Sequence, residues 1–597
     1  MLSPRAVSLL SFAFLAPDAT SQWDAAWVGF ARDPSRLQAG VISDGDHETD
    51  LAWGDLDQDG FVDLVVVRKQ PFTSPGKRTN VLLMNVGGVL TDATATYASA
   101  SDVPGDQGFL TPTNDRDVVL ADVDGDGALD VVTATTLSDG DPKHLGHPRV
   151  YRNLGGSGAW SGLRHEDARI PQLVHYGTGL PSNPRFCSVS AGDLTGDGAP
   201  DLYFGDYDSS GAGGAQQPEN EDLNDRLLIN DGGGFFTDQS QARMTPQMLL
   251  SAFSMSTAIA DMNLDGRLDV VKDTALNPPQ YVAISYNDLF GGAGTGQFDA
   301  FQVVHQNQPY HLAVDDLNND GRPDLVVTDD IDDRYRFHTG LDALGRATFG
   351  PARKFDFLIG GDDGFGGNNL IADLDGDGWK DVIVTDQDVD IFFGDGRTHV
   401  YHNLGGPGQE GSLDVVLREE RQDPSSFGWI GAPGLTTSDL VGTHDVAVFD
   451  VENDGDVDLI LSRAAGTDVF VQGPATPITC QTNLGHQKGA LYLSVCGGDL
   501  SAGNPATLEV QHLPFLAQSF LFVGTGSTPT YVPELDATLA TFPLAAATPL
   551  TTFGSTTLEI EVPGGFPGAS LTVQMATVIS TFPLVYGVSN AVRIDWP

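Results

Sequence analysis

Short runs of β-branched and other apolar residues alternate along the chain with tight acidic loops. The runs include Val118–Ala121 before one loop, and Leu64–Val67, Val131–Thr133, Leu325–Thr328 and Val382–Thr385 after others. Runs of this length that are rich in valine and isoleucine are typical of strands rather than helices. Each acidic loop is therefore predicted to join two antiparallel strands in a hairpin.

A second hairpin signal follows further along each period, where an apolar strand ends in Asn and Gly residues. It occurs in Leu82–Gly88, Val150–Gly156, Leu227–Gly233 and Val400–Gly406. Asn and Gly adopt the backbone conformations that tight hairpin turns need. Each period thus supplies two hairpins, or four antiparallel strands, which is one blade of a β-propeller.

The acidic loop has the form D-x-[D/N]-x-D-G-x-x-D, with variation at its third position, and starts at residues 55, 122, 193, 261, 316, 373 and 450. One such nonamer is a weak signal because acid–glycine turns are common, whereas seven at a near-regular spacing indicate a repeat. Seven blades close a ring and hide the sheet edges. We therefore expect an all-β chain that contains a seven-bladed β-propeller with calcium-binding hairpin loops.

The chemistry of the nonamer is that of a calcium loop. Ca²⁺ takes six to eight hard oxygen ligands, and the side chains at positions 1, 3 and 5 of a tight loop converge on one point. Position 7 offers its backbone carbonyl, the aspartate at position 9 closes the cage, and the glycine at position 6 permits the sharp turn. Strands flank the loop and the glutamate of an EF-hand at position 12 is missing. The predicted ligands are Asp55, Asp57, Asp59 and Asp63; Asp122, Asp124, Asp126 and Asp130; Asp193, Thr195, Asp197 and Asp201; Asp261, Asn263, Asp265 and Asp269; Asp316, Asn318, Asp320 and Asp324; Asp373, Asp375, Asp377 and Asp381; and Asp450, Glu452, Asp454 and Asp458.

The loops together with the Asn-Gly hairpins resemble the FG-GAP/VCBS repeats of the integrin-α-like propeller family, over roughly residues 45–475. In that family the loop between the first two strands of a blade binds Ca²⁺, so the resemblance implies up to seven ions here. The family includes adhesion receptors, seven-bladed fungal lectins, and propellers attached to polysaccharide lyases or lipases. The fold alone therefore does not fix the function.

Four loops depart from aspartate at the third position. Asn263 and Asn318 are ordinary calcium ligands, Glu452 keeps the charge, and Thr195 is a weak ligand, so the third loop is the most doubtful site. At their predicted ligand positions, loops one, two, six and seven carry four carboxylates each and the others three. By that count, loops one, two, six and seven should bind Ca²⁺ most tightly.

The two ends of the repeat region make further predictions. The last repeat runs out of strands after Val469–Val471, so a segment near Trp27–Phe30 is expected to supply the missing fourth strand and lock the ring. Beyond it the charges become sparse, and polar and apolar residues alternate in Leu558–Val562, Leu571–Met575 and Val592–Trp596. Such short strands predict a C-terminal β-sandwich.

The N-terminus has the features of a secretory signal peptide. A positive charge at Arg5 precedes the apolar run Ala6–Ala16, and small residues follow at Ala19 and Ser21. The predicted organisation is a signal peptide at 1–21, the propeller at 22–474 and the sandwich at 475–597. A location outside the cell or on its surface follows, with no transmembrane segment, because no later stretch reaches the length that spans a bilayer.

The three cysteines are too few for a disulfide framework. Cys480 and Cys496 are close enough in sequence to pair, which would leave Cys187 free. Another kind of cross-link is therefore needed to hold the long loops, and bound calcium would provide it.

The chain carries 31 Lys+Arg against 81 Asp+Glu, a net charge of −50. Such a surface repels nucleic acid and anionic membranes, which makes both poor partners. Bound Ca²⁺ would screen much of this charge, so the ions are expected to act mainly as structural staples.

The predicted function is an extracellular binding or adhesion module for a protein or glycan. Its partner surface is expected on the face opposite the calcium loops, where acidic connections lie at 206–221, 329–333 and 386–390. A lectin, or a lyase or hydrolase acting on polysaccharide, is the alternative. Against an enzyme, the sequence has neither a G-x-S-x-G nor an H-E-x-x-H motif, and His144 and His147 are expected in a surface turn.

Overall fold

The computed structural model describes residues 27–38, 48–70, 76–138, 140–156, 160–207, 224–250, 253–275, 280–306, 309–329, 333–355, 367–385, 397–406, 408–421, 430–463 and 466–472, and nine strands between 481 and 595. In this part of the chain no helix has the length and apolar character needed to cross a membrane.

Seven antiparallel sheets form the blades of a β-propeller, as predicted. From first to fourth strand, the blades consist of Glu48–Gly54, Asp63–Lys69, Val81–Asn85 and Leu90–Asp92; Asp115–Ala121, Asp130–Thr135, Arg149–Asn153 and Leu163–His165; Phe186–Gly192, Asp201–Asp206, Arg226–Asn230 and Phe236–Asp238; Thr257–Ala260, Asp269–Thr274, Tyr281–Asn287 and Phe298–Gln306; Pro309–Asp315, Asp324–Asp329, Arg334–Arg336 and Arg353–Lys354; Asn369–Ala372, Asp381–Thr385, Thr398–Asn403 and Leu417–Arg418; and Thr443–Phe449, Asp458–Arg463, Gly466–Gln472 and Phe30–Arg32.

Short elements decorate the blades. Ala100–Ser101 pairs in parallel with the fourth strand of blade two. Two small hairpins, His338–Leu341 with Ala347–Phe349 and Glu420–Arg421 with Ile430–Gly431, extend blades five and six. The described helical turns are Pro34–Arg36, Thr94–Tyr97, Gly108–Leu110, Lys143–Gly146, Asp167–Arg169, Ser240–Arg243, Pro246–Leu249 and Thr437–Leu440.

The first strands of the blades form the inner ring. Each contacts the first strands of both neighbouring blades, including those of blades seven and one, so the ring is closed. Between each pair of neighbouring blades lies a separate cluster of buried apolar side chains. Val65 of blade one and Val131 of blade two, for example, share one cluster. Burial of this apolar surface holds the blades together.

The ring closes as predicted, with a small shift in the closing strand. Phe30 pairs with Gln472 and Arg32 with Phe470 in antiparallel register. The strand covers Phe30–Arg32 rather than Trp27–Phe30, because Trp27 instead stacks on His402 of blade six and donates Nε1–H to the carbonyl of Gly431.

Three aspartates meet near the ring axis, at the end where the first strands begin. Asp50 of blade one lies beside Asp117 of blade two and Asp445 of blade seven. Asn368, just before the first strand of blade six, donates its amide to Asp50 Oδ1 over 3.2 Å. Arg116, next to Asp117 in sequence, donates to the carbonyl of Cys187 in blade three. Charged side chains from several blades therefore meet at this end of the ring.

The described strands after the ring form two antiparallel sheets. One contains Gln481–Asn483, Gln518–Val532, Ala537–Thr551, Ser570–Thr581, Leu584–Val588 and Val592–Asp595, and the other Tyr492–Gly497, Ala506–Gln511 and Leu558–Val562. Leu558–Val562 and Leu571–Met575 therefore lie in strands, as predicted. The third predicted segment is a strand over Val592–Asp595, and Trp596 lies outside the described residues. That the sheets pack as a sandwich, and that its boundary falls at residue 475, stay predictions.

Cys187 is buried and forms no disulfide, as expected. Cys480 and the side chain of Cys496 lie outside the described residues, as does the proposed signal peptide.

Candidate calcium sites

Each acidic loop is the hairpin between the first and second strands of its blade, as predicted. In every blade the first strand ends directly before position 1 of the loop, and the aspartate at position 9 is the first residue of the second strand. All seven loops therefore lie at the same end of the ring.

The aspartate at position 1 folds the loop around its own carboxylate. Asp55 Oδ1 accepts from the backbone N–H of Asp59, and Oδ2 accepts from that of Gly60, both over 3.0 Å. The bond from the glycine at position 6 recurs in the other six loops. Gly60 has φ of +95°, and a Cβ there would meet no atom within 4 Å. Glycine is thus needed for the positive φ rather than for space.

The aspartate at position 9 joins the loop to the third strand. Asp63 Oδ2 accepts from the N–H of Leu56 over 2.9 Å, while Oδ1 accepts from the N–H of Asn85 over 2.8 Å. The same pair of bonds occurs in all seven blades, with His338 and Gln472 taking the place of Asn85 in blades five and seven. The position-9 carboxylate is therefore a clamp as well as a predicted ligand.

Burial perturbs these clamping carboxylates. It raises the pKa of Asp63 and of Asp130 to about 7, and that of Asp269 and of Asp324 to about 8. Backbone hydrogen bonds to the ionised form offset only part of this effect. A bound cation would favour the ionised form.

Carboxylate oxygens converge in three of the loops. Positions 1, 3 and 9 of loops one, two and six place one oxygen each within 4.8 Å of one another: Asp55, Asp57 and Asp63; Asp122, Asp124 and Asp130; and Asp373, Asp375 and Asp381. Oxygen-only groups of this kind suit Ca²⁺. The residues present therefore fit the ion that the sequence predicts.

Unpartnered buried oxygens at position 3 support the same fit. Asp124 Oδ1 is buried without a hydrogen-bond partner. The Asn318 side chain is fully buried, and neither its Oδ1 nor its Nδ2 forms a hydrogen bond. Buried polar groups in proteins are normally paired. An ion in the loop would supply the missing partner for these oxygens.

The remaining third positions behave differently from one another. Asn263 Oδ1 accepts from the N–H of Asp265 over 3.2 Å. The N–H of Thr195 donates to Asp201 over 3.0 Å. Glu452 pairs with Arg36, with 3.3 Å between Oε1 and Nη2. Within the described chain, loop seven forms no convergent group of three carboxylates although it has four acids at its predicted ligand positions.

Arginines near the loops partly neutralise them. Arg152 Nε lies 2.5 Å from Asp124 Oδ2, and Arg169 Nη2 lies 3.1 Å from the same oxygen. In loops four and five, the arginine at position 7 pairs with the aspartate at position 5: Arg267 with Asp265 and Arg322 with Asp320. The ranking of calcium affinity by number of carboxylates therefore leaves out these arginines, whose positive charges compete with Ca²⁺ for the same oxygens.

Loop six has a histidine neighbour in place of an arginine. His402 Nε2 lies 3.5 Å from Asp375 Oδ2, and Nδ1 lies 3.3 Å from Glu420 Oε2. Burial lowers the pKa of His402, but the contacts with these two carboxylates outweigh it and raise the pKa to about 10. The sequence interpretation missed His402 and Arg152. One feature of the sequence could have identified them, because each lies directly before the asparagine that ends the third strand of its blade.

That asparagine links neighbouring blades. Its side-chain amide donates to the backbone carbonyl at position 2 of the preceding blade's loop, and the same amide contact occurs with glutamine in blade seven. The pairs are Asn85 with Val451, Asn153 with Leu56, Asn230 with Val123, Asn287 with Leu194 and Asn403 with Leu317, each over 2.8 Å, and Gln472 with Leu374 over 3.0 Å. In blade five His338 stands here, and its Nε2 contacts the carbonyl of Gly340 instead.

The other histidine pair is not a metal site. His147 is only 1% exposed, and its Nε2 accepts from the N–H of Leu173 over 2.9 Å. The expectation of a surface turn is therefore wrong for His147, which fixes a connection between blades two and three.

Comparison with known proteins gives one family match. A family model of FG-GAP-like repeats matches residues 122–204 and 193–271. Similar solved structures include two variants of exo-β-1,3-galactanase from Phanerochaete chrysosporium with β-1,3-galactotriose, at 10% and 9% identity and TM-scores of 0.29 and 0.30. These alignments cover 84% and 83% of this chain and 99% of the other. No curated protein matches the sequence.

Proposed function

Because the chain is an FG-GAP repeat β-propeller, we propose that it works as a secreted, calcium-stabilised binding module for an extracellular protein or glycan. The observation that carries the calcium part is the convergence of carboxylates in loops one, two and six, with the position-9 aspartate clamped between the loop and the third strand.

The ions have a structural role in this proposal. Each loop joins two strands, its position-9 aspartate holds a third, and position 2 accepts the amide of the next blade in six of the seven junctions. An ion that orders the loop would therefore stabilise both its own blade and the junction. A binding module with a net charge of −50 also gains from bound cations that reduce self-repulsion.

The partner surface is proposed on the face opposite the calcium loops. The connections from second to third strand and from blade to blade lie there, and loops on a rigid scaffold commonly carry binding. Of the acidic stretches expected on this face at 206–221, 329–333 and 386–390, residues 208–221, 330–332 and 386–390 lie outside the described residues.

Blade one adds basic residues to the acidic face. Lys77 pairs with Asp141, Arg68 donates to the backbone and hydroxyl of Thr79, and Lys69 lies over the ring of Tyr207. Part of this positive charge is therefore engaged within the protein.

Binding is tested with the chain lacking residues 1–21, on a glycan array and a panel of extracellular matrix proteins, each with Ca²⁺ and with EDTA. The proposal expects a saturable ligand in one panel, with binding that survives EDTA at temperatures where the metal-free protein stays folded. Loss of binding under those conditions would indicate that the bound ions contact the ligand directly. Release of sugars from a polysaccharide panel would instead favour the enzyme alternative, and no ligand in either panel would contradict a binding role.

A further inference from the structure

We propose that loop six, unlike the other six, holds a divalent transition metal of the Zn²⁺ class through Asp375, Asp377 and His402. This goes beyond the proposed calcium role. In loop six the transition metal would take the place of Ca²⁺, because Asp375 and Asp377 are predicted calcium ligands as well. The three side chains each offer one ligand atom, and these atoms lie within 4.8 Å of one another. Asp377 is exposed, so solvent reaches the group and metal exchange does not require unfolding.

The donor set differs in kind from that of the calcium loops. Zn²⁺ binds imidazole nitrogen and carboxylate oxygen, whereas Ca²⁺ takes oxygen ligands. Two carboxylates and one imidazole give three protein ligands and leave further positions for water. A nitrogen donor thus favours a transition metal even where calcium is far more abundant.

The imidazole is held by a second layer of contacts. Glu420 Oε2 lies 3.3 Å from Nδ1, on the side of the ring away from Asp375, and Arg418 donates to the same carboxylate over 2.7 Å. A carboxylate behind a metal-binding histidine fixes the ring orientation and raises its basicity as a ligand.

The ring plane is fixed as well. Trp27 stacks on His402 with ring centroids 4.1 Å apart and an interplanar angle of 7°, and its own Nε1–H donates to Gly431. The strand that closes the propeller begins at Phe30, three residues after Trp27. The segment that locks the ring therefore also orients the proposed ligand.

The position of His402 is specific to blade six. In the other blades, the residues directly before the one whose N–H binds the position-9 aspartate are Met84, Arg152, Ile229, Tyr286, Phe337 and Val471. Arg152 is the informative comparison, because it contacts positions 3 and 5 of its loop, Asp124 and Asp126, as a fixed cation. Where blade two has a guanidinium facing these carboxylates, blade six has a group that can share a metal with them.

The test measures Zn²⁺ and Co²⁺ binding by the chain 22–597 in millimolar Ca²⁺. His402→Phe keeps an aromatic ring against Trp27 but removes the nitrogen. Arg152→Phe is the matched control at the same place in blade two. We expect one tight Zn²⁺ per chain, and a visible Co²⁺ spectrum with nitrogen ligation, in the wild type and in Arg152→Phe, and neither in His402→Phe. Glu420→Gln should weaken Zn²⁺ binding by about 10–100-fold.

Equal Zn²⁺ binding by the wild type and His402→Phe would overturn the proposal, as would the absence of a Co²⁺ spectrum. Melting curves in Ca²⁺ check that each variant folds. If His402→Phe fails to fold, Glu420→Gln and the Co²⁺ spectrum of the wild type still decide the question. Bound calcium is measured in the same samples. A chain without calcium would refute the calcium part of the proposed function, whereas the zinc measurements would still decide the proposal for loop six.

Discussion

Asn153 of blade two donates its side-chain amide to the backbone carbonyl of Leu56 in blade one, over 2.8 Å and between residues 97 positions apart. Leu56 is the second residue of loop one, between the predicted ligands Asp55 and Asp57. The contact therefore couples a predicted calcium loop directly to the next blade. The same contact occurs at six of the seven junctions, so hydrogen bonds join nearly every loop to the blade that follows it.

Asn153→Ala should destabilise the propeller by at least about 1–3 kcal/mol, because the buried carbonyl of Leu56 loses its partner. The substitution also removes the bonds of Asn153 to Leu129 and Trp160. Gln58→Ala is the control from the same loop. Gln58 also reaches blade two, donating to the carbonyl of Gly127, but it is exposed, so its removal should cost less than about 0.5 kcal/mol. Denaturant unfolding in Ca²⁺ measures both. Equal costs would show that the buried amide has no special role.

Within loop one, coordination of the ion and acceptance of backbone hydrogen bonds can be tested by different substitutions. Asp57→Ala removes a predicted ligand and should lower stability in Ca²⁺, by about 2.7 kcal/mol if the ion is present at 100 times its dissociation constant. In EDTA this cost should vanish, apart from one exposed hydrogen bond of 3.3 Å that Asp57 Oδ1 accepts from the N–H of Asp59.

Asp63→Asn should behave differently, because Asp63 also accepts two backbone N–H groups. An amide can accept only through its oxygen, so a cost of about 1–3 kcal/mol should remain in EDTA. Unfolding of both variants with and without EDTA gives the comparison. If neither variant is less stable than the wild type in EDTA, the backbone hydrogen bonds of Asp63 do not contribute to stability.

The axial aspartates predict a dependence of stability on pH. Burial, followed by repulsion from Asp117 and Asp445, raises the pKa of Asp50 well above its ordinary range. The folded protein therefore keeps a proton on Asp50 that the unfolded chain releases. The free energy of unfolding should fall as pH rises from the ordinary carboxyl pKa towards the raised value, by up to about 1.4 kcal/mol per pH unit.

Asp50→Asn replaces the protonated carboxyl with a neutral group of the same shape and should flatten that slope. The Asn368 amide can still donate to it, and Arg116 beside Asp117 remains in place. Asp414→Asn, with a side chain that is 98% exposed, is the control and should leave the slope unchanged. Unfolding in Ca²⁺ between pH 5 and 8 measures all three proteins. An unaltered slope in Asp50→Asn would show that a group other than Asp50 holds the proton in the folded protein.

The sequence predicted the local architecture well and the contacts between blades poorly. Blade number, hairpin phase and the place of Asp63 at the start of a strand follow from periodicity and turn chemistry, which are properties of neighbouring residues. The closing strand was predictable because blade seven lacked one. The roles of Asn153 and His402 were not, since each depends on a partner from another part of the chain. Asn153 was interpreted only as a turn residue, which it also is through its bond to Gly155.

The central claim is that the acidic loops bind calcium and that calcium stabilises the ring. Metal analysis of the chain after gentle dialysis, combined with melting curves before and after EDTA, tests it most directly. The account predicts several Ca²⁺ per chain, up to seven, or up to six where Zn²⁺ occupies loop six. It also predicts a melting temperature that falls sharply in EDTA and recovers when Ca²⁺ is restored. A chain that carries no calcium and melts at the same temperature with and without EDTA would contradict it.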